Sequence, residues 1–187
     1  KKNELKFNKG DIIGYSGDTG GISGPHLHFE IRDKNGKPIN PLQNHYTIED
    51  TLKPIAHSLA FIPLDNSCWI NGIQDYTIYN LHKMNEYKYV LVDTISTIGN
   101  FGIAIEATDK VNNQEFNYGI YEIELLIDNK LIYKLQFNDY SFDQDYLIYK
   151  ELDFHLLGNH SKRYHRLFKT EDVNLSFVDN RSNEGIN

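Results

Sequence analysis

Between residues 26 and 32 polar and apolar side chains alternate without a break: His26, Leu27, His28, Phe29, Glu30, Ile31, Arg32. Successive residues of a strand point to opposite faces. The period of two therefore predicts a β-strand that sets His26, His28, Glu30 and Arg32 on one face and turns Leu27 and Phe29 toward a core. A stretch containing Gly17, Gly20, Gly21 and Gly24 runs into it, and Asn35-Gly36 follows as a two-residue hairpin signal. Farther along, residues 56–63, 67–70, 76–80, 87–92, 101–108, 121–127 and 131–137 read as strands, with Asn71-Gly72 and Asp128-Asn129-Lys130 as hairpin turns. Helical periodicity is weak throughout, and residues 145–157 and 162–168 fit either state. Short strands at regular spacing predict an all-β protein, with an immunoglobulin-like β-sandwich over residues 54–178. Residues 43–53 form the expected linker, and the small polar tail 179–187 is expected to be flexible.

The first strand is also where the chemistry gathers. Two imidazoles at i and i+2 of one strand can share a target, which suits a metal ion. Glu30, on the same face, is either an acceptor that fixes an imidazole tautomer or a simple partner for Arg32. The glycines before the pair fit a loop bordering a substrate groove as well as they fit a plain connection.

Gly17-Asp18-Thr19-Gly20, then Ser23-Gly24-Pro25-His26-Leu27-His28-Phe29-Glu30, then Asn35-Gly36-Lys37-Pro38 and Asn40-Pro41-Leu42 occur in that order. In these motifs residues 1–42 resemble the last part of a lysostaphin-type (LytM-like) zinc metallopeptidase domain, the family that cuts peptide bonds in bacterial peptidoglycan. The resemblance implies the C-terminal strands of a peptidase β-sheet domain, with zinc as cofactor, His28 as a zinc ligand and His26 as the catalytic histidine. It implies peptidoglycan peptide as the partner, an extracytoplasmic place in the envelope or outside the cell, and room for an envelope protein partner. Two further zinc ligands belong to an upstream His-x-x-x-Asp in that family, and another catalytic histidine lies between that motif and the pair. Neither fits before Lys1, so the chain is expected to begin inside the domain and to hold half a site. No His-x-x-x-Asp occurs downstream; His45 with Glu49 and His82 with Glu86 have the spacing but the longer acid, and are expected to be ordinary polar residues.

Other chemistries find little support. No Gly-Lys-Ser/Thr follows the glycines, as a phosphate loop requires, and no Gly-x-Ser-x-Gly elbow surrounds Ser16 or Ser23. No lysine sits at a hairpin tip after 8–14, as a biotinyl or lipoyl domain would need. A formal net charge of −7 speaks against nucleic acid as a partner. The charge is uneven, with seven basic and five acidic side chains over residues 1–42 and the acidic excess in the remainder. The single cysteine, Cys68, forbids an intrachain disulfide, and no run of 18 apolar residues marks a transmembrane segment. Thirteen tyrosines and Trp69 are expected to pack rather than to form a sugar-binding platform, and His155, His160 and His165 are expected at the surface.

The expected function is thus zinc-dependent endopeptidase action on peptidoglycan, with this chain inactive by itself. The alternative is a degenerate peptidase-like module that binds cell-wall material or activates another hydrolase. A third reading makes the β-sandwich the main actor, as an interaction module of the envelope.

Overall fold

Strand-forming runs of β-branched and aromatic residues, punctuated by Asn, Asp and Gly, give an all-β architecture in the computed structural model, which describes residues 5–18, 24–43, 46–170, 175–179 and 185–186. In chain order the strands are β1 (Ile31–Arg32), β2 (Pro38–Ile39), β3 (Ile55–Pro63), β4 (Trp69–Ile70), β5 (Thr77–Asn80), β6 (His82–Asn85), β7 (Lys88–Val90), β8 (Thr97–Ile98), β9 (Phe101–Thr108), β10 (Glu122–Ile127) and β11 (Lys130–Gln136). A 3₁₀ helix (Phe142–Leu147), two short helices, α1 (Ile148–Glu151) and α2 (Phe154–His160), and β12 (Tyr164–Arg166) follow.

The centre is a four-stranded antiparallel sheet in the order β12-β9-β3-β5. β3 and β9 pair along nearly their whole length, Leu59 opposite Ile105 and Phe61 opposite Ile103. Alternation then sorts the side chains. Ala60, Ile62 and Ala104 face α2 and pack with Leu156, Tyr164 and Phe168. Ile103 and Ile105 point the other way, onto Tyr133 and Leu135 of the β10–β11 hairpin, and Phe61 packs on that side with Cys68 and Ile70.

Turn chemistry sets the hairpins. Asp128 and Asn129 both adopt positive φ, 49° and 61°, so that Ile127 pairs directly with Lys130, as a type I′ turn requires. Asn71 and Gly72 do the same between Ile70 and Ile73. Each expected strand from residue 56 to 137 is present, several trimmed at their ends, and the run 67–70 is strand only at Trp69–Ile70.

The two ambiguous regions resolve into different states. Asp153, fully buried, ends one chain direction and starts another: its carboxylate accepts the Leu156 amide at 3.0 Å as the N-cap of α2 and meets Arg166 Nε and Nη2 at 3.0 Å. Residues 164–166 form β12, which corrects the expectation for His165. Its side chain is 11% exposed, and its Nδ1 lies 2.5 Å from Glu151 Oε1, because pairing with β9 carries the ring inside, where the buried carboxylate meets it. His160 is exposed, and the exposed His155 stacks on Tyr76 at 4.5 Å.

Small residues make the helix-facing side of the sheet passable for aromatic rings. A Cβ placed on Gly102 would lie 2.3 Å from the Phe168 ring. Gly102→Ala is therefore expected to cost about 1–3 kcal/mol by overpacking. In Phe168→Leu the same substitution should cost less, and denaturant melts of the two single variants and the double variant measure that coupling. Strict additivity would mean that the ring yields freely.

Candidate metallopeptidase site

The segment that carries His26 and His28 is anchored at its far end by the β1–β2 hairpin. Asp33 closes the turn: its carboxylate accepts the Asn35 and Lys37 amides at 2.8 Å each, and its backbone N–H donates to Lys37 O at 2.9 Å. Those backbone donors, that of Lys37 first, hold the Asp33 carboxyl below the usual range. The connection is a three-residue loop, with Gly36 at φ 85°, rather than the two-residue Asn-Gly turn expected.

Upstream of Ile31 the expected strand is not formed. His26 makes a single bridge to Gly17, with its amide 3.3 Å from Gly17 O, and residues 27–30 enter no ladder. Leu27 and Phe29, expected in a core, are 86% and 58% exposed. Alternation orients side chains only relative to a sheet, and among the described residues no strand pairs with this stretch to build one. Phe29 instead meets Tyr46 edge-on at 5.6 Å. It also borders a groove of about 380 Å³ shared with Ile31, Pro38, Phe137, Tyr140 and Phe177.

On the polar side the parity holds in effect. His28 Nε2 lies 2.5 Å from Glu30 Oε1, and Arg32 brings Nε to 2.7 Å and Nη2 to 2.6 Å of Glu30 Oε2. The two expected roles of Glu30 are therefore combined, since one oxygen serves the imidazole and the other the guanidinium. The His28 hydrogen bond first, and then that of Arg32, lowers the Glu30 pKa. A carboxylate can only accept, so Nε2 of His28 carries the proton, and in the neutral imidazole Nδ1 keeps its lone pair. His26 is the mirror case: Nδ1 lies 3.2 Å from the Gly24 carbonyl, so it donates and leaves Nε2 as the open nitrogen.

The hairpin does not stand alone. Ile39 bridges Asp139, Asn40 N–H donates to Asn138 O at 2.8 Å, and Tyr140 N–H donates to Pro38 O at 3.3 Å. The Asn40 side chain gives a further bond to Phe137 O at 3.1 Å, Lys37 meets Asp139 at 2.5 Å, and Gln43 Nε2 donates to Tyr121 and Asn138. At the end of this contact the Arg32 guanidinium sits 4.9 Å above the Phe142 ring. Arg32 was legible by parity, whereas Phe142 carried no sequence signal, its partner lying far away along the chain.

Catalytic zinc takes three protein donors as a rule. Among the described residues no group of three or more His, Cys, Asp or Glu side chains converges. These residues fit one ligand position, His28 with its carboxylate support, and do not by themselves fit the whole set. Of the spaced pairs, His45 lies outside the described residues, and Glu49, His82 and Glu86 are exposed.

His28, backed by Glu30 and two residues from His26, has the carboxylate support that a metal-ligating imidazole uses. Residues 2–41 match Peptidase family M23. Over 33 residues, 18% of this chain and 7% of the relative, the sequence is 54% identical to the DD-carboxypeptidase/endopeptidase Mpg of Neisseria meningitidis serogroup B. The same figures hold for Mpg of Neisseria gonorrhoeae. The peptidoglycan DD-endopeptidase ShyA of Vibrio cholerae serotype O1 is 43% identical over 42 residues, 22% of this chain and 10% of that protein. Residues 2–41 are thus similar to M23-type peptidase sequence, and the chain aligns with only 7% of the length of the first of these relatives. No solved structure matches the chain significantly.

Asn40→Ala removes the bond to Phe137 O and the one its Oδ1 accepts from Leu42 N at 3.0 Å. The hairpin contact is expected to weaken by about 1–2 kcal/mol. Limited proteolysis should then cleave residues 5–36 faster while residues 101–136 stay protected; unchanged cleavage would show that Asn40 does not hold the hairpin.

Proposed function

We propose that residues 2–41 serve as the His-x-His part of a zinc-dependent endopeptidase that hydrolyses peptide bonds in peptidoglycan. The observation that carries this reading is the family match over a segment whose second histidine is backed by Glu30 and keeps its Nδ1 lone pair open. The names of the relatives supply the substrate class. In this reading the boundary to the C-terminal region falls in residues 43–53, and the protein works outside the cytoplasmic membrane, where its substrate lies. Among the described residues no helix is long and apolar enough to cross a membrane.

The roles follow from the open nitrogens. His28 would hold the metal through Nδ1, and its Nε2–H to Glu30 fixes the tautomer that makes this available. His26 presents Nε2 for holding or moving a proton at the scissile group. Zinc, when bound, polarises the scissile carbonyl and lowers the pKa of water to about 7. Its remaining donors would be groups other than those the described residues bring together; the second reading is a peptidase-like module that binds cell-wall material or activates another hydrolase.

Zinc titration and digestion of cross-linked peptidoglycan separate the two. The 187-residue chain is expected to bind zinc weakly and to cleave nothing. The product of the complete reading frame is expected to cleave and to stop on chelation. In that product His28→Ala should lose zinc, whereas His26→Ala should keep it and lower kcat about 10²–10⁴-fold. Equal zinc loss in both variants would end the division of labour, and absence of cleavage in the complete product would favour the binding module.

A further inference from the structure

Phe142 begins the 3₁₀ helix and belongs to a stretch of chain that already pairs with the hairpin. Its ring meets Tyr140 edge-on at 5.2 Å, and the Tyr140 amide is the one that donates to Pro38 O. The exposed side of that ring carries the Arg32 guanidinium at 4.9 Å. Arg32 gives two of its fixed N–H donors to one oxygen of Glu30, which leaves the other oxygen aimed at His28 Nε2.

Each member restricts the next. A glutamate side chain on an exposed segment rotates freely, and an exposed ion pair alone holds it poorly. A planar guanidinium that is itself laid on an aromatic face presents its donors in one direction, so the carboxylate that accepts them is oriented too. An oriented carboxylate accepts from only one nitrogen of the imidazole, and that selects the tautomer.

We propose that Phe142 and Arg32 are positioning residues: the 3₁₀ helix of the C-terminal region fixes the orientation and tautomer of His28 through Arg32 and Glu30. The functional meaning rests on the peptidase reading above, but the physical claim does not need it. The C-terminal region is then part of the site, supplying a support from outside residues 2–41.

Long-range ¹H–¹⁵N correlation of His28 in the metal-free 187-residue chain, in mildly alkaline buffer, reads the tautomer directly. The unaltered chain should show one tautomer, with the proton on Nε2. Phe142→Ala should lower the population of the held arrangement about two- to five-fold, as an exposed cation–π contact implies, and give a mixed pattern. Arg32→Gln should do likewise, and Phe142→Tyr, which keeps the ring, should restore the single pattern. Both substituted positions, Phe142 and Arg32, are exposed, and unchanged β9 amide signals would confirm that the fold is intact. A mixed pattern in the unaltered chain, or an unshifted one in both Phe142→Ala and Arg32→Gln, overturns the proposal. If the tautomer responds as expected while His28→Ala leaves zinc uptake and cleavage by the complete product unchanged, positioning stands and the ligand role of His28 fails; if the complete product does not cleave at all, positioning stands and the peptidase reading fails.

Discussion

Backbone pairing between Pro38–Asn40 and Asn138–Tyr140 sets the position of everything functional in this protein. β1 and β2 are two residues each, and a two-stranded hairpin is at best marginally stable in water. Residues 138–140 add a third strand segment on the free edge of β2, so that Ile39 is paired on both sides, opposite Ile31 and opposite Asp139. The Lys37–Asp139 ion pair and the Asn40 side chain fix the register. His28 and Glu30 precede this hairpin immediately, and their place in space is inherited from it.

The brace is effective because the region behind it is well determined. β3 and β9 form the longest ladder, and the sheet is covered by α2 on one face and by the β10–β11 hairpin on the other. Three of its buried polar residues are matched: Asp153 by Arg166 and the α2 amide, Glu151 by His165, and Ser58 by Tyr164 at 2.6 Å and Glu106 at 2.8 Å, whereas Thr77 Oγ1 on β5 is buried without a partner. Leaving any of these without its partner would cost more than the pair contributes, which makes them enforcers of a single arrangement. The segment 137–140 continues directly from β11, so that order is transmitted to the hairpin contact through the chain itself.

Much of this could be read in the sequence because the governing interactions are local. Asp128-Asn129 and Asn71-Gly72 declared their turns, and the apolar runs at 101–108 and 131–137 declared strands, of which only the second pairs with its near neighbour in the chain, β10. Period-two alternation at 26–32 put His28, Glu30 and Arg32 on one side, where they meet. The same alternation misplaced Leu27 and Phe29, because it says which face a residue shares but not whether a layer covers that face. His165 was misplaced for a related reason: its burial comes from β12 lying against β9 and from Glu151 beneath it, neither of which a histidine spacing encodes. Phe142 was invisible, since a cation–π contact between distant segments leaves no periodic trace.

Hydrogen exchange at two amides tests the central claim most directly. Asn40 N–H and Tyr140 N–H cross between the peptidase-type segment and the C-terminal region, at 2.8 Å and 3.3 Å. If the hairpin is held by that pairing, both should be protected well above unstructured rates, and weakening the C-terminal region with mild denaturant should release them together with β11 amides. Exchange of both at the unstructured rate while β9 and β11 remain protected would contradict it, and would leave His28 and Glu30 without a frame.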